Sequence, residues 1–217
     1  LKRRLEVRYV SDESQVLSVI RETLAVGRCV CWMRNTVADA LVAHAHFRDE
    51  LPPENLILFH ARFTLGDRLA TEEQVLSHFG KASDAQMRAG RLVIATQVAE
   101  QSLDADWDLV VSDLAPIDRL IQRAGRLQRH PRDLAGNRLM DAAGGDQRGA
   151  PCLWVFGPEW VESPAEDWYK RTLPRAARVY PHHGQLWLTA QVLQQGQIAL
   201  PDDARFLVES VFGDLGD

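Results

Sequence analysis

Cysteine is scarce in this sequence, with Cys29, Cys31 and Cys152 the only three in 217 residues. Cys29 and Cys31 lie two apart inside the apolar run CVCWM and Cys152 begins another such run, so neither a disulfide framework nor a thiolate zinc set is offered. Long apolar runs are missing too. None approaches the roughly 20 residues that span a bilayer, and LKRRLEVRYV has no hydrophobic signal region, so no membrane contact is expected and the expected setting is cytoplasmic. Histidine supplies no metal site: His44 and His46 are two apart on an expected helix and point away from each other, while His182 and His183 adjoin a proline turn without acidic or thiol neighbours. A P-loop is absent, since neither Gly-Lys-Ser nor Gly-Lys-Thr occurs. Nor does the chain start with Met, which points to a piece of a longer protein. What remains, 46% hydrophobic and 25% charged residues, suits a globular domain with a sizeable core and an extension.

Short apolar runs alternate with helical periodicity. CVCWM (29–33), NLILFH (55–60), RLVIAT (91–96) and LVVS (109–112) read as buried strands. Ser11 or Asp12 can cap a helix with Val16, Leu17, Ile20 and Leu24 on one face, ending at Gly27. Asn35 or Thr36 can cap VADALVAHAHFRDE, and a mostly polar helix runs through TLGDRLATEEQVLSHFG to Gly80. Strands joined by such helices imply a parallel sheet covered on both faces. The turns after the strands, RNT, HARF, TQVAEQSLD and the helix entrance after Asp113, are all polar and should gather at one sheet edge, where α/β folds place their ligands. PCLWVFGP (151–158) reads as an edge strand bounded by prolines. Leu134 to Gly149, rich in Gly and Ala, reads as a flexible surface loop. Residues 1–158 are therefore expected to form one domain. Residues 159–217 should form a mostly helical extension, with one helix around LWLTAQVLQQ and a last one from Pro201 capped by Asp202, in an acidic tail.

Positive charge is focused in one stretch. Arg119, Arg123, Arg126, Arg129, Arg132 and Arg138 face the single acid Asp133, in a chain whose net charge is −5. Arg123, Arg126 and Arg129, with Gln122 directly before them, recur at intervals of three, so on a helix or its first unwound turn Arg126 and Arg129 lie near one face. Guanidinium forks bind phosphate oxygens two at a time, and a converging pair beside Gly125 suits a phosphoanhydride. The bland alternative is a solvated, salt-bridged arginine surface.

ATQVAEQSLDAD (95–106) followed by QRAGRLQRH (122–130) resembles motifs V and VI of superfamily 2 helicases, and the wording resembles the CRISPR-associated helicase-nucleases of type I interference systems. The resemblance implies a second RecA-like domain, with RNT and HARF as motifs IV and IVa. It implies Arg126 and Arg129 as arginine fingers on the γ-phosphate of ATP, with Gln122 orienting the attacking water or holding the loop. Arg123 would contact motif V or the upstream domain, and Asp104 the nucleotide. Asn35, Thr36, His60, Arg62, Thr96, Gln97 and Gln101 would meet a nucleic-acid backbone. Against these stand plainer roles: Asn35 and Thr36 as caps, His60 as a core histidine, Asp104 as a turn cap. ATP and Mg2+ are the implied cofactors, with the magnesium ligands on a first RecA-like domain outside this sequence. The implied partners are single-stranded DNA, the first RecA-like and nuclease domains of the same protein, and a CRISPR RNA surveillance complex. Alone, the chain is expected neither to hydrolyse ATP at a useful rate nor to cut DNA. Alternatives are another superfamily 2 motor, on RNA or duplex DNA, and a non-catalytic module derived from a helicase.

Overall fold

Four short, mostly apolar runs lie at the centre of the molecule. In the computed structural model, which describes residues 3–100, 103–140 and 145–213, they form β2 (Val30–Met33), β3 (Leu56–Phe59), β4 (Leu92–Ala95) and β5 (Leu109–Asp113). Every residue of β2, β4 and β5 is buried, as a strand with both faces covered must be. With β1 (Arg3–Val10), β6 (Cys152–Phe156) and β7 (Gln197–Leu200) they make one sheet in the order β3-β4-β2-β5-β6-β1-β7. All neighbours are parallel except β1 and β7, so six strands deliver their carboxyl ends to one edge.

The helix starts follow the local chemistry. Asp12 caps α1 (Glu13–Ala25) by accepting from Ser14 N at 2.8 Å. Gly27 follows its end at φ +76°, a conformation that costs a Cβ-bearing residue strain. Thr36, not Asn35, caps α2 (Val37–Phe47), and Thr64 caps α3 (Leu65–Phe79). A short α4 (Ala85–Arg88) precedes β4, and α5 (Ile117–Ala124) follows β5 behind Pro116. The rest of the chain holds α6 (Trp168–Thr172), α7 (His183–Leu193) and α8 (Ala204–Phe212). No helix among the described residues is long and apolar enough to cross a membrane.

The α/β architecture is as expected, with corrections at one side of the sheet. The strand β6 is interior, because β1 pairs along its flank and β7 pairs along the far side of β1. β1 itself was hidden among charges: Leu5 and Val7 are buried while Arg4, Glu6 and Arg8 face solvent, a period-two pattern with one wet face. Trp154 on β6 is only partly buried, with the Arg8 guanidinium 5.5 Å from its ring centre, whereas Trp32 is fully buried. The segment after residue 159 contributes β7 as well as helices. Its last helix begins at Ala204, later than Pro201, and the Asp203 carboxylate accepts from Ala199 N at 2.7 Å. Asp214 and Asp217 of the acidic tail lie outside the described residues.

The stretch expected to be a flexible loop is anchored at both flanks. Arg132 is fully buried and Arg148 nearly so, and both donate to Asp106, at 2.6 and 3.1 Å. Arg148 also meets Asp108 at 2.7 Å, and Arg88 joins the same two carboxylates. Leu134 and Met140 between the anchors are exposed, so the surface placement holds while the ends are fixed.

Candidate functional site

At the carboxyl edge of the sheet the turns expected to converge are stitched to one another. Arg34 N donates to Ala95 O at 2.8 Å and Thr96 N to Phe59 O at 3.1 Å, so the turns after β2, β3 and β4 share backbone hydrogen bonds. Gln97 Nε2 donates to Asn35 O at 3.1 Å. Asn35 is buried: its N donates to Asp113, and its Nδ2 donates to Leu114 O at 2.7 Å and to the Tyr169 hydroxyl at 3.1 Å. The Asn35 side chain is thus tied into the protein, and the exposed chemistry of this turn falls to the start of α2 behind Thr36. Two buried oxygens at this edge, Asn35 Oδ1 and Thr96 Oγ1, lack a hydrogen-bond partner among the described residues.

His60 is buried and stacks on Phe63 at 4.2 Å, with its Nδ1 accepting from Arg62 N at 3.2 Å. Burial, aided by the Arg62 charge, lowers its pKa and favours the neutral ring. His60 therefore shapes the turn, while the Arg62 side chain is exposed. Gln101 lies outside the described residues.

Arg126 and Arg129 sit on the turn beyond α5, because the helix stops at Ala124. The turn is clamped to the chain before β5: Trp107 N donates to Arg126 O at 3.2 Å and Gln128 N to Trp107 O at 2.8 Å. Gln128 takes φ +45°, and it is the one non-glycine with positive φ among the described residues. Arg126 is half-buried and donates to Glu100 O at 2.9 Å, while its Nε is buried without a partner. Burial lowers its pKa, and the neighbouring Arg129 charge adds to the effect. Arg129 is exposed and pairs with Asp104 at 2.7 Å, and His130 Nε2 lies 3.1 Å from the same oxygen. Partial burial alone would raise the Asp104 pKa, but the hydrogen bond from Arg129 and the charges of His130 and Arg129 hold it low. Gln122 is exposed on the last turn of α5. Two neighbouring cations, one with an unsatisfied N–H, form an arrangement that an anion relieves.

Arg123 behaves differently from its neighbours. It has no exposed surface, and its guanidinium binds Glu100 at 2.7 Å, Ser112 Oγ at 2.8 Å and Asp113 O at 3.2 Å. Contact with the 95–106 loop is therefore what it makes here, and its guanidinium is not presented to a ligand. Glu100 escaped the sequence reading. Its carboxylate holds Arg123 and Arg119 and its carbonyl holds Arg126, so one residue joins the strand-end edge to the arginine turn. Asp113 does the same on the other side, 3.0 Å from Arg34 Nε, with a pKa that burial raises against the pull of Arg34. The available signal for Glu100 was an acid in the turn that follows an apolar strand, with arginines elsewhere to match. His182 is exposed and His183 Nε2 lies 3.4 Å from Ala177 O. Among the described residues no group of three His, Cys, Asp or Glu is placed to hold a metal.

A parallel sheet with polar turns collected at one edge, linked through a buried acid to an arginine-bearing turn, defines a RecA-like helicase domain. Comparisons with known proteins narrow the class. The family model for the C-terminal region of the CRISPR-associated nuclease/helicase Cas3 matches residues 26–132, which contain every candidate residue above. The Cas3 endonuclease/helicase of Escherichia coli (strain K12) is 44% identical over 192 residues, covering 87% of this chain and 19% of that protein. The solved T. fusca Cas3-ATP structure superposes with a TM-score of 0.78 at 32% identity, over 98% of this chain and 24% of the other. A chain of a CRISPR RNA-guided surveillance complex in a pre-nicking state superposes at 0.76 with 31% identity, over 98% of this chain and 25% of the other. The chain belongs to the Cas3 family, corresponding to its C-terminal helicase domain. It spans about a fifth of the length of the E. coli relative.

Proposed function

We propose that this chain supplies the second motor half of an ATP-driven, 3′-to-5′ single-stranded DNA translocase that feeds a nuclease in CRISPR interference. The observation that carries the reading is the turn beyond α5, where half-buried Arg126, with an unsatisfied Nε, lies beside Arg129 and is bonded to the 95–106 loop. Relatives solved with ATP and within a surveillance complex support it. Bound ATP, with Mg2+ held by a first RecA-like domain, supplies the phosphoryl group whose transfer to water drives stepping.

On this reading Arg126 and Arg129 offset the charge that develops on the transferred phosphate. Gln122, exposed one turn earlier, orients the attacking water or holds the turn, and Arg123 keeps the 95–106 loop in register from within the protein. Asp104, now paired with Arg129, meets the nucleotide when Arg129 turns to the phosphate. At the sheet edge Arg62, Thr36 and the start of α2, and Gln97 touch the DNA backbone without reading bases, while buried Asn35, His60 and Thr96 shape the turns; Gln101, outside the described residues, is assigned to the same contact by the resemblance to motif V alone. The two groups share one rigid framework through Glu100, so closure of the nucleotide cleft and grip on the strand are mechanically linked.

The test is the DNA-stimulated ATPase of the intact helicase, wild type against Arg126→Ala, with DNA affinity measured alongside. Turnover should fall about a hundredfold or more with DNA binding largely kept. The 217-residue chain alone should show no useful turnover. Wild-type turnover in the variant, or ATP hydrolysis by this chain at the rate of the intact protein, would overturn the proposal.

A further inference from the structure

We infer that Arg3, at the start of β1, is a positioning residue for the arginine pair. It lies more than 120 residues from that turn in sequence, yet its guanidinium spans the turn's carbonyls. One terminal nitrogen donates to Leu127 O and to Gln128 O, the latter at 3.2 Å, and the other donates to Ala124 O at 2.6 Å. These oxygens belong to the end of α5 and the turn that follows, where helical hydrogen bonding has stopped and the negative end of the helix dipole favours a cation. Arg126 and Arg129 are carried between and just beyond them.

The start of the turn is open on that side. A cavity of about 720 Å3 opens beneath it, lined among others by Arg3, Gly125, Gln128, Arg129, His130 and Pro131. Leu127 packs into the core, and on the cavity side hydrogen bonds hold the path of residues 125–131, from Arg3 at its start and from Arg148 to His130 O at 2.8 Å at its end. On the opposite side the Trp107 backbone holds Arg126 and Gln128. Gln128 stands at φ +45°, a strained conformation that persists only when its surroundings over-determine it, and its carbonyl is one of those Arg3 binds. The turn is thus gripped between Trp107 and Arg3.

Arg3 is itself held. Its backbone pairs with Leu200 of β7 and β1 pairs with β6, so the strand added by the late segment fixes the residue that fixes the turn. A planar fork with two donor-bearing terminal nitrogens matches three spread carbonyls better than an ammonium does. Displacement of a catalytic group by about 1 Å can cost on the order of a hundredfold in rate, so loss of the grip should be felt in turnover before binding.

This inference rests on the proposed role of Arg126 and Arg129, and a double-mutant cycle in the intact helicase separates the two. DNA-stimulated ATPase is measured for wild type, Arg3→Ala, Arg126→Ala and the double variant, with kcat and the KM for ATP determined for each and melting followed by circular dichroism. Arg3→Ala should lower kcat about tenfold to a hundredfold with KM changed less than about threefold, and its further effect in the Arg126→Ala background, where only Arg129 is left to position, should be much smaller. Wild-type kcat in Arg3→Ala, or an equal loss in both backgrounds, would overturn the inference, the second result marking a general effect on folding. If Arg3→Ala does not fold, Arg3→Lys replaces it in the same cycle: reduced kcat without additivity supports the positioning role, and wild-type kcat or an additive loss overturns it. Wild-type turnover in Arg126→Ala would bring down the proposed function together with this inference. Collapse in Arg126→Ala with full activity in Arg3→Ala would remove this inference alone.

Discussion

Replacing Glu100 with Ala removes the one carboxylate that, among the described residues, pairs directly with the Arg123 guanidinium, two side chains without exposed surface. The atoms lie 2.7 and 2.8 Å apart, and the hydrogen bonds that remain to Arg123 afterwards go to neutral acceptors, Ser112 Oγ and Asp113 O, with the Asp113 carboxylate, already engaged by Arg34, acting on it only through space. A buried charge stripped of its counter-ion costs about 3–5 kcal/mol, much more than the rim contact with the partly exposed Arg119 contributes. In a chain of this size each kcal/mol moves the melting midpoint by roughly 2–4 °C, so a fall of roughly 6–20 °C is expected. Urea unfolding of the 217-residue chain, followed by circular dichroism, gives the free energy directly, and the denaturant slope should stay constant. The companion variant Glu100→Ala/Arg123→Leu removes both charges and should recover part of the loss, because no buried charge is left unpaired, while the smaller side chains leave a cavity that keeps recovery incomplete. A loss under about 1 kcal/mol for Glu100→Ala would refute the reasoning. It would mean that Arg123 reaches water or another anion at little cost, and that the link between the sheet edge and the arginine turn is loose.

Two further outcomes follow from the charges. Burial alone would raise the Asp108 pKa, but Arg88 and Arg148, with the Cys29 amide, hold it well below the usual carboxylate range. A depressed folded-state value contributes stability that is complete above the unfolded pKa of about 4 and is lost as pH falls below it. Asp108→Asn should therefore be less stable than wild type by a few kcal/mol at pH 7, with the gap closing as the pH drops from about 4 towards 2, and a gap independent of pH would contradict the assignment. For Arg62→Ala in the intact helicase, the slope of log affinity for single-stranded DNA against log salt should become shallower by about 0.7, uniformly across sequences. An unchanged slope would take Arg62 out of the contact surface.

Much of the central sheet was legible because its strands are buried on both faces. VCWM, LVIA and LVVS leave no room for a solvated side and carry their signal in one short run. The strand β1 carried the weaker signal of alternation among arginines, and β7 is four residues lying between two expected helices. Without them PCLWVF had the flanking prolines of an edge and no visible neighbour. Strand pairing is a contact between segments distant in sequence, and local pattern does not report it.

The sequence by itself determined the class of domain, the convergence of four polar turns at one sheet edge, and the arginine spacing that makes Arg126 and Arg129 candidates, because periodicity and turn chemistry are local properties. Tertiary structure decided which arginine is presented and which is buried. Arg123 and Arg126 are three residues apart in the same motif, yet Arg123 closes a buried ion pair while Arg126 keeps an unsatisfied nitrogen beside Arg129. That difference arises from where α5 ends, where Glu100 lies and how Arg3 reaches across the sheet. Each is a meeting of residues far apart in the chain, and folding alone brings them within hydrogen-bonding distance.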